Sequence, residues 1–149
     1  MRDVTAGVPG SELDDRGGDP AGSSLVLIVE DDARIAELIR LTLEEEGVRV
    51  ALARDGQQAV RLGIELQPAL VLLDVMLPLL GGEAVAARLR DQPGGGPPIV
   101  LLSASADIGR IARTIGAVGA VRKPFDLDHL VQLVQRILGA APRPHESLA

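Results

Sequence analysis

Three short runs of consecutive aliphatic residues restrict the fold of this chain more than any other feature of its sequence. They cover residues 25–29 (LVLIV), 70–73 (LVLL) and 99–102 (IVLL). Runs of this length without polar alternation are typical of strands that are buried on both faces, as in a parallel sheet covered by helices. Pro78 follows the second run and prevents further ladder pairing there. The sequence therefore predicts an α/β protein built on a buried sheet.

Segments with helical signals alternate with the strands. In the first helix, apolar residues recur at a helical spacing that predicts a core-facing stripe: Ile35, Leu38 and Ile39. Gly47 and Gly139 are expected to end the first and last helices. Strict alternation implies right-handed crossovers and a doubly wound sandwich of three layers. Strands are expected at residues 25–29, 48–52, 70–74, 99–102 and 118–121, and helices at about 35–46, 55–66, 83–91, 107–115 and 126–139.

The composition restricts the classes of function. The chain has no cysteine, which excludes disulfides, thiolate metal sites and thiol catalysis. Its formal net charge of −6 argues against an extended nucleic-acid-binding surface. No apolar run is long enough to span a bilayer, and no secretion signal begins the chain, so we expect a cytoplasmic protein. Residues 1–24 are expected to be a disordered tail, 25–139 one folded domain and 140–149 a flexible tail.

Polar side chains stand at the ends of four of the predicted strands. Glu30 and Asp31 follow the first strand, Asp74 ends the third, Ser103 follows the fourth and Lys123 follows the fifth. The carboxyl ends of parallel strands meet at one edge of a sheet, which is where ligands of open α/β sheets bind. We therefore expect these five side chains to form one site.

The charges of these side chains predict a metal ion. Three carboxylates at one sheet edge repel each other unless a cation neutralises them. Mg²⁺ suits ligands that are all oxygen, and Mn²⁺ is an alternative. Three carboxylates, one Mg²⁺ and Lys123 sum to zero charge, which suits a site that receives a phosphoryl group. Taken singly, each residue also has a purely structural explanation, as a helix N-terminal acid, a turn residue or a solvated charge.

The combined motifs resemble the receiver domain of two-component response regulators. They are LIVEDD at 27–32, LDVMLP at 73–78, SA at 103–104 and KPF at 123–125. The resemblance covers about residues 25–139. It implies a flavodoxin-like fold, in which five helices surround a five-stranded parallel sheet of order 2-1-3-4-5. It also implies a signalling protein, not a turnover enzyme, that accepts a phosphoryl group from a histidine kinase or a histidine phosphotransfer protein.

The resemblance assigns a role to each residue of the site. Asp74 would be the phosphoacceptor, Ser103 the switch hydroxyl and Lys123 the ion-pair partner of the phosphoryl group. The resemblance implies four oxygen donors for Mg²⁺, with Asp31 as a direct ligand: the carboxylates of Glu30, Asp31 and Asp74 and the backbone carbonyl of Met76. Asp32 would lie beside the pocket without binding the metal.

This chain departs from the family pattern at three places. Ala120 stands where the family usually has a large or aromatic residue, three positions before the lysine. Gly81-Gly82 replaces the usual Asp-Gly, and the compact segment 103–123 predicts a short fourth helix. The ten residues after Gly139 are too few for an output domain. We therefore expect a stand-alone receiver of the chemotaxis-regulator type, monomeric or weakly dimeric, that acts on an unidentified downstream protein without contacting nucleic acid or membrane.

Three other functions share parts of this pattern. A pseudo-receiver that works as an unphosphorylated scaffold remains an alternative because Ala120 removes the usual aromatic switch. A haloacid-dehalogenase-like phosphohydrolase needs a second carboxylate two residues after the first, where this chain has Met76. A flavodoxin-like flavin binder needs a phosphate loop after the first strand and aromatic rings, whereas this chain has acids there and Phe125 as its one aromatic residue.

Overall fold

Five parallel strands form one sheet in the computed structural model, which describes residues 24–77 and 79–140. The strands are β1 (Leu25–Val29), β2 (Arg49–Ala53), β3 (Leu70–Asp74), β4 (Ile99–Ser103) and β5 (Gly119–Arg122). The helices are α1 (Ala33–Glu45), α2 (Gly56–Leu66), α3 (Gly82–Arg90), α4 (Ile108–Ile115) and α5 (Leu127–Ala140). The strand order β2-β1-β3-β4-β5 confirms the expected order 2-1-3-4-5.

The element bounds differ little from those expected. The last helix includes Gly139 and continues through Ala140, so Gly139 is not its end. The loop before β4 contains one 3₁₀ turn, Pro93–Gly95. The fourth helix has only eight residues, as its sequence predicted. Apart from residues 24 and 140, the two expected tails lie outside the described residues, as does Pro78.

The three central strands are completely buried, as the aliphatic runs predicted. Every residue of β1, β3 and β4 is buried. Alternate side chains of each strand point to opposite faces of the sheet. Val26 and Ile28 belong to a core shared with α1 and α5, whereas Leu27 and Val29 belong to a core shared with α2, α3 and α4. Because a buried aliphatic side chain contributes about 1.5–3 kcal/mol, these two cores hold the three layers together.

The strand register aligns the carboxyl ends of the strands. Val29 is paired with Leu73, and Ser103 is paired with Arg122. The residues that follow β1 and β5 and those that end β3 and β4 therefore lie at the same edge of the sheet. Of the helices described, none combines the length and apolarity that a bilayer crossing needs.

The apolar face of α1 differs from the expected one at Leu38, whereas Ile39 is buried in the core and Ile35 packs against it, as expected. Ala36, Ile39 and Leu43 are its buried residues. Leu38, which we expected to face the core, is 53% exposed. The spacing of three and four residues from Ala36 through Leu43 was also present in the sequence, but Ala36 gives a weak hydrophobic signal. Leu38 instead lies in the lining of a groove beside the site, which is described below.

Candidate functional site

Glu30 enters the site from the end of β1. Its backbone N–H donates to the Ala53 carbonyl at 3.1 Å, which extends the ladder to β2 by one residue. Its side chain is only 1% exposed, and its Oε2 accepts a hydrogen bond from the Asp32 N–H at 3.2 Å. Asp32 itself caps α1, because its carboxylate accepts from the backbone N–H groups of residues 34 and 35. The Asp32 carboxylate thus has a structural role at the start of α1.

Asp74 is the last residue of β3 and is 4% exposed. Its two carboxylate oxygens have different partners. Oδ1 accepts a hydrogen bond from the Met76 N–H at 3.1 Å, and Oδ2 accepts one from the Lys123 Nζ at 3.2 Å. The side chain of Met76 is exposed, and this residue contributes its backbone N–H to the site. It does not provide the second carboxylate that a haloacid-dehalogenase-like phosphohydrolase needs at this position. Asp74 is therefore a buried carboxylate held at both oxygens.

Lys123 connects the first, third and fifth strands. Its Nζ donates to Glu30 Oε1 at 2.9 Å and to Asp74 Oδ2 at 3.2 Å. Its backbone N–H donates to the Ser103 carbonyl at 2.8 Å, so the lysine is anchored to β4 as well. An ammonium between two buried carboxylates compensates part of the cost of removing them from water. Lys123 therefore joins the site to sequence regions that lie 49 and 93 residues away.

Three carboxylates meet at this edge. One oxygen each of Glu30, Asp31 and Asp74 lies within 4.8 Å of the other two. Asp31 is exposed, whereas Glu30 and Asp74 are buried, so the cluster has one side open to solvent. Carboxylate oxygens are the ligands that Mg²⁺ prefers, and the excess negative charge needs a cation. The donor set therefore fits a divalent cation with access from the Asp31 side.

Burial and charge shift the pKa of two of these groups in the same direction. Loss of water raises the pKa of Glu30, and the nearby Asp74 charge raises it further against the opposing effect of the Lys123 hydrogen bond. Burial disfavours the Lys123 ammonium, but the hydrogen bonds and charges of Glu30 and Asp74 outweigh this and raise the pKa of Lys123. At neutral pH the lysine is therefore charged.

Ser103 is buried at the end of β4, next to β3 in the sheet. Its Oγ accepts a hydrogen bond from the Ser105 N–H at 3.0 Å. This contact uses a lone pair of the oxygen and leaves the hydroxyl proton for another acceptor. Ala120 lies on β5 opposite Leu101 and is exposed, so the position of the usual aromatic residue carries only a methyl group.

An apolar groove of about 660 Å³ adjoins the site. Three charged residues, Lys123, Asp126 and Asp128, belong to its lining. The apolar part comes from α1, from the residue after Ser103 and from the segment after β5: Ile35, Leu38, Ile39, Ala104, Pro124, Phe125 and Leu127. This groove was not predicted from the sequence. The helical spacing of Leu38 and the apolar Phe125 after the Lys-Pro pair were visible, but their place in one groove depends on the packing of segments that are distant in sequence.

The structure brings together four of the side chains expected at the site: Glu30, Asp31, Asp74 and Lys123. Ser103 lies on the neighbouring strand and reaches Lys123 through its backbone. The role of the Met76 carbonyl as a metal ligand stays a prediction, since the contact that places Met76 here is its N–H to Asp74.

Comparison with known proteins gives one consistent family. A family model described as the response regulator receiver domain matches residues 26–135. The DNA-binding response regulator MtrA of Mycobacterium tuberculosis is 40% identical over 112 residues, which are 74% of this chain and 48% of MtrA. The DNA-binding dual master transcriptional regulator RpaA of Synechocystis is 36% identical over 124 residues, which are 79% of this chain and 50% of RpaA. The chain thus spans about half the length of these curated relatives.

Solved structures agree. The receiver domain of the Francisella response regulator 1452 has a TM-score of 0.74 at 29% identity, covering 80% of this chain and 99% of that one. The receiver domain of the sensor histidine kinase PA1611 of Pseudomonas aeruginosa has a TM-score of 0.72 at 32% identity, covering 78% and 98%. That structure has a magnesium ion coordinated in its active site cleft.

The raised pKa of Lys123 predicts a loss of stability at alkaline pH. Lys123 is the only lysine of the chain, which also has no tyrosine or cysteine, so it titrates alone in this range. Its contribution to the free energy of unfolding is complete below the unfolded pKa of about 10.4 and is lost as the pH rises through the higher folded pKa. Urea unfolding from pH 9 to 12 measures the free energy of unfolding, and NMR of the single lysine side chain measures the pKa of Lys123 in the folded protein. The variant Asp74→Asn should have a lower pKa at Lys123 than the parent. In the parent, a Lys123 pKa at or below that of a free lysine would contradict the ion pairs with Glu30 and Asp74.

Charge repulsion in the cluster predicts that Asp74→Asn stabilises the metal-free protein. Three carboxylates and one ammonium leave a net charge of −2, and the substitution reduces it to −1 while keeping an oxygen for the Met76 N–H. We expect the free energy of unfolding in EDTA to rise by about 1 kcal/mol, the scale of one pKa unit. Asp91→Asn, at the exposed C-terminal end of α3, is the matched control and should change little. A decrease in Asp74→Asn would show that the bond to Lys123 outweighs the repulsion between the carboxylates.

Proposed function

This chain belongs to the response regulator receiver domain family, and from that premise we propose that Mg²⁺-dependent phosphorylation of Asp74 switches or relays a two-component signal. The observation that carries the proposal is the Lys123 ammonium, which contacts both buried carboxylates at the edge where Asp31 adds a third. Family membership establishes a receiver domain of a signalling protein. The phosphoacceptor, the donor and the metal ligands are the proposed part.

The chemistry follows from the contacts of Asp74. An oxygen of its carboxylate attacks the phosphorus of a phosphohistidine, the P–N bond breaks, and the imidazole nitrogen keeps the bonding electrons. When bound by Glu30, Asp31, Asp74 and the Met76 carbonyl, Mg²⁺ would neutralise charge on the oxygens of the transferred group. The Lys123 ammonium stands within hydrogen-bonding distance of the acceptor and supplies a second positive charge. The hydroxyl of Ser103 donates to no acceptor among the described residues, and we assign its proton to a phosphoryl oxygen.

The groove supports a protein as the phosphodonor. Its apolar lining shares Lys123 with the phosphorylation site, so a helix seated there would lie beside Asp74. Leu38 is exposed at this groove and has no role in the core. An exposed apolar groove of this kind fits the apolar face of an amphipathic helix. We propose that a histidine kinase or histidine phosphotransfer protein presents its phosphohistidine from such a helix.

The output of the switch is proposed to be a change in binding to a downstream protein. The curated relatives named above are DNA-binding regulators, and the chain spans about half of their length. The expectation that this protein makes no direct contact with nucleic acid is therefore not confirmed.

Phosphorylation of Asp74 is tested by intact-protein mass spectrometry after incubation with a small phosphodonor and Mg²⁺. We expect a gain of one phosphoryl group in the parent, no gain in EDTA and none in Asp74→Asn. Asp91→Asn should be phosphorylated as the parent is. Persistent labelling of Asp74→Asn would overturn the assignment of the site. No gain in a parent shown to be folded would favour the pseudo-receiver scaffold, for which the exposed Ala120 is the supporting observation.

The docking role of the groove is tested with Leu38→Glu. The control is Leu41→Glu, because Leu41 lies on the same helix with similar exposure, 46% against 53%, but does not line the groove. Purified histidine kinases of the source organism are first allowed to autophosphorylate. The kinase that transfers its phosphoryl group fastest to the parent protein is then used as the donor. Leu38→Glu should slow transfer from it by about tenfold or more, the effect of losing about 1.4 kcal/mol at an interface. Labelling by the small phosphodonor should be unchanged in both variants, and equal slowing by both would contradict the groove as the docking site.

A further inference from the structure

One peptide unit connects the start of α3 with the carboxylate of Asp74. This unit joins Val75 to Met76. Its carbonyl oxygen accepts a hydrogen bond from the Gly82 N–H at 3.1 Å. Its N–H, from Met76, donates to Asp74 Oδ1 at 3.1 Å. Because a peptide unit is planar and rigid, the position of Gly82 and the orientation of the Asp74 carboxylate are coupled through it.

Gly82 touches this peptide more closely than any residue with a side chain can. A Cβ atom on Gly82 would lie 2.8 Å from the Val75 Cα and 3.1 Å from the carbonyl oxygens of Asp74 and Val75. These are backbone atoms, so no flexible side chain can move aside. Gly82 is the first residue of α3, with no need for a left-handed backbone. The requirement for glycine is therefore one of contact and not of conformation.

A second glycine holds the other side of the same loop. Gly56 begins α2, and a Cβ atom there would lie 2.0 Å from the Leu80 carbonyl oxygen. Val75 and Leu80, near the two ends of the loop between β3 and α3, thus each lie against the first residue of a helix. Leu79 within it has a left-handed backbone (φ 69°), which is unfavourable for leucine.

We propose that Gly82 is a positioning residue for the phosphorylation site: its lack of a side chain lets α3 close on the Val75–Met76 peptide and so fixes the Asp74 carboxylate and the adjacent Met76 carbonyl. This inference rests on the proposed function, because it concerns the same acceptor and the same metal ligands. An added methyl group displaces the peptide and with it two of the four proposed metal ligands. The substitution should therefore lower the affinity for Mg²⁺ as well as the free energy of unfolding.

The test compares three alanine substitutions by titration with MgCl₂ in a calorimeter. Gly82→Ala should weaken Mg²⁺ binding by about tenfold, the lower end of the usual effect of disturbing groups that orient metal ligands. Gly81→Ala is the local control, since nothing lies within 4 Å of a Cβ atom at the neighbouring position. Gly63→Ala is the stability control, because its Cβ atom would lie 2.5 Å from Leu89 Cδ2 in the core between α2 and α3.

The single lysine provides a readout that does not depend on metal. In the metal-free protein, Gly82→Ala should shift the NMR signal of the Lys123 side chain, since Asp74 Oδ2 moves relative to Nζ, whereas Gly81→Ala and Gly63→Ala should leave it unchanged. If Gly82→Ala does not fold, Gly56→Ala tests the loop from its other side, with the same expectations. A folded Gly82→Ala protein with the parent's lysine signal would overturn the inference. If the parent itself fails to bind Mg²⁺, the proposed function fails, while the lysine signal still decides the role of Gly82.

Discussion

The bridge from Lys123 to Glu30 and Asp74 is the interaction on which the site depends. Two carboxylates that are almost fully buried lie at the edge of an aliphatic core, and neither is stable there without a counter-charge. The ammonium supplies that charge and links the ends of three strands, while its backbone is anchored on a fourth. One ammonium, which contacts Glu30 and Asp74, does not neutralise a cluster of three carboxylates. The remaining negative charge fits the divalent cation that we propose for this site.

The parallel sheet makes this concentration of charge feasible. All five strands end at the same edge, so residues far apart in sequence meet there without any long loop. Asp74 and Ser103 end their strands and are buried, as is Glu30 directly after β1, whereas Asp31 and Met76 lie one residue further from the strand ends and are exposed. The site thus combines a buried carboxylate, our proposed phosphoacceptor, with a side that is open to solvent at Asp31. The groove beside Lys123 extends this open side with an apolar surface.

The departures from the family pattern have different consequences in the structure. Helix α4 has only eight residues. Ala120 on β5 is exposed, so this position lacks the bulky side chain that the family usually has there. The connection between Ser103 and Lys123 that the structure does show is a backbone hydrogen bond. Where the family usually has Asp-Gly, this chain has Gly81-Gly82. The glycine that is kept, Gly82, contacts the backbone of Asp74 and Val75, whereas the replaced position, Gly81, faces open space. The substitution therefore falls where it is tolerated.

The sequence by itself determined the order of the elements, the buried strands and the identity of the charged residues at the sheet edge, because these depend on local pattern and on a topology that few folds satisfy. Strand ends were predicted to within one residue for the central strands. The tertiary structure alone decided that Leu38 faces a groove and that Gly82 contacts a backbone, since both depend on the packing of segments distant in sequence. It also decided which oxygen of Asp74 meets which donor. Such contacts depend on atomic positions, and residue type and spacing in the sequence do not determine atomic positions.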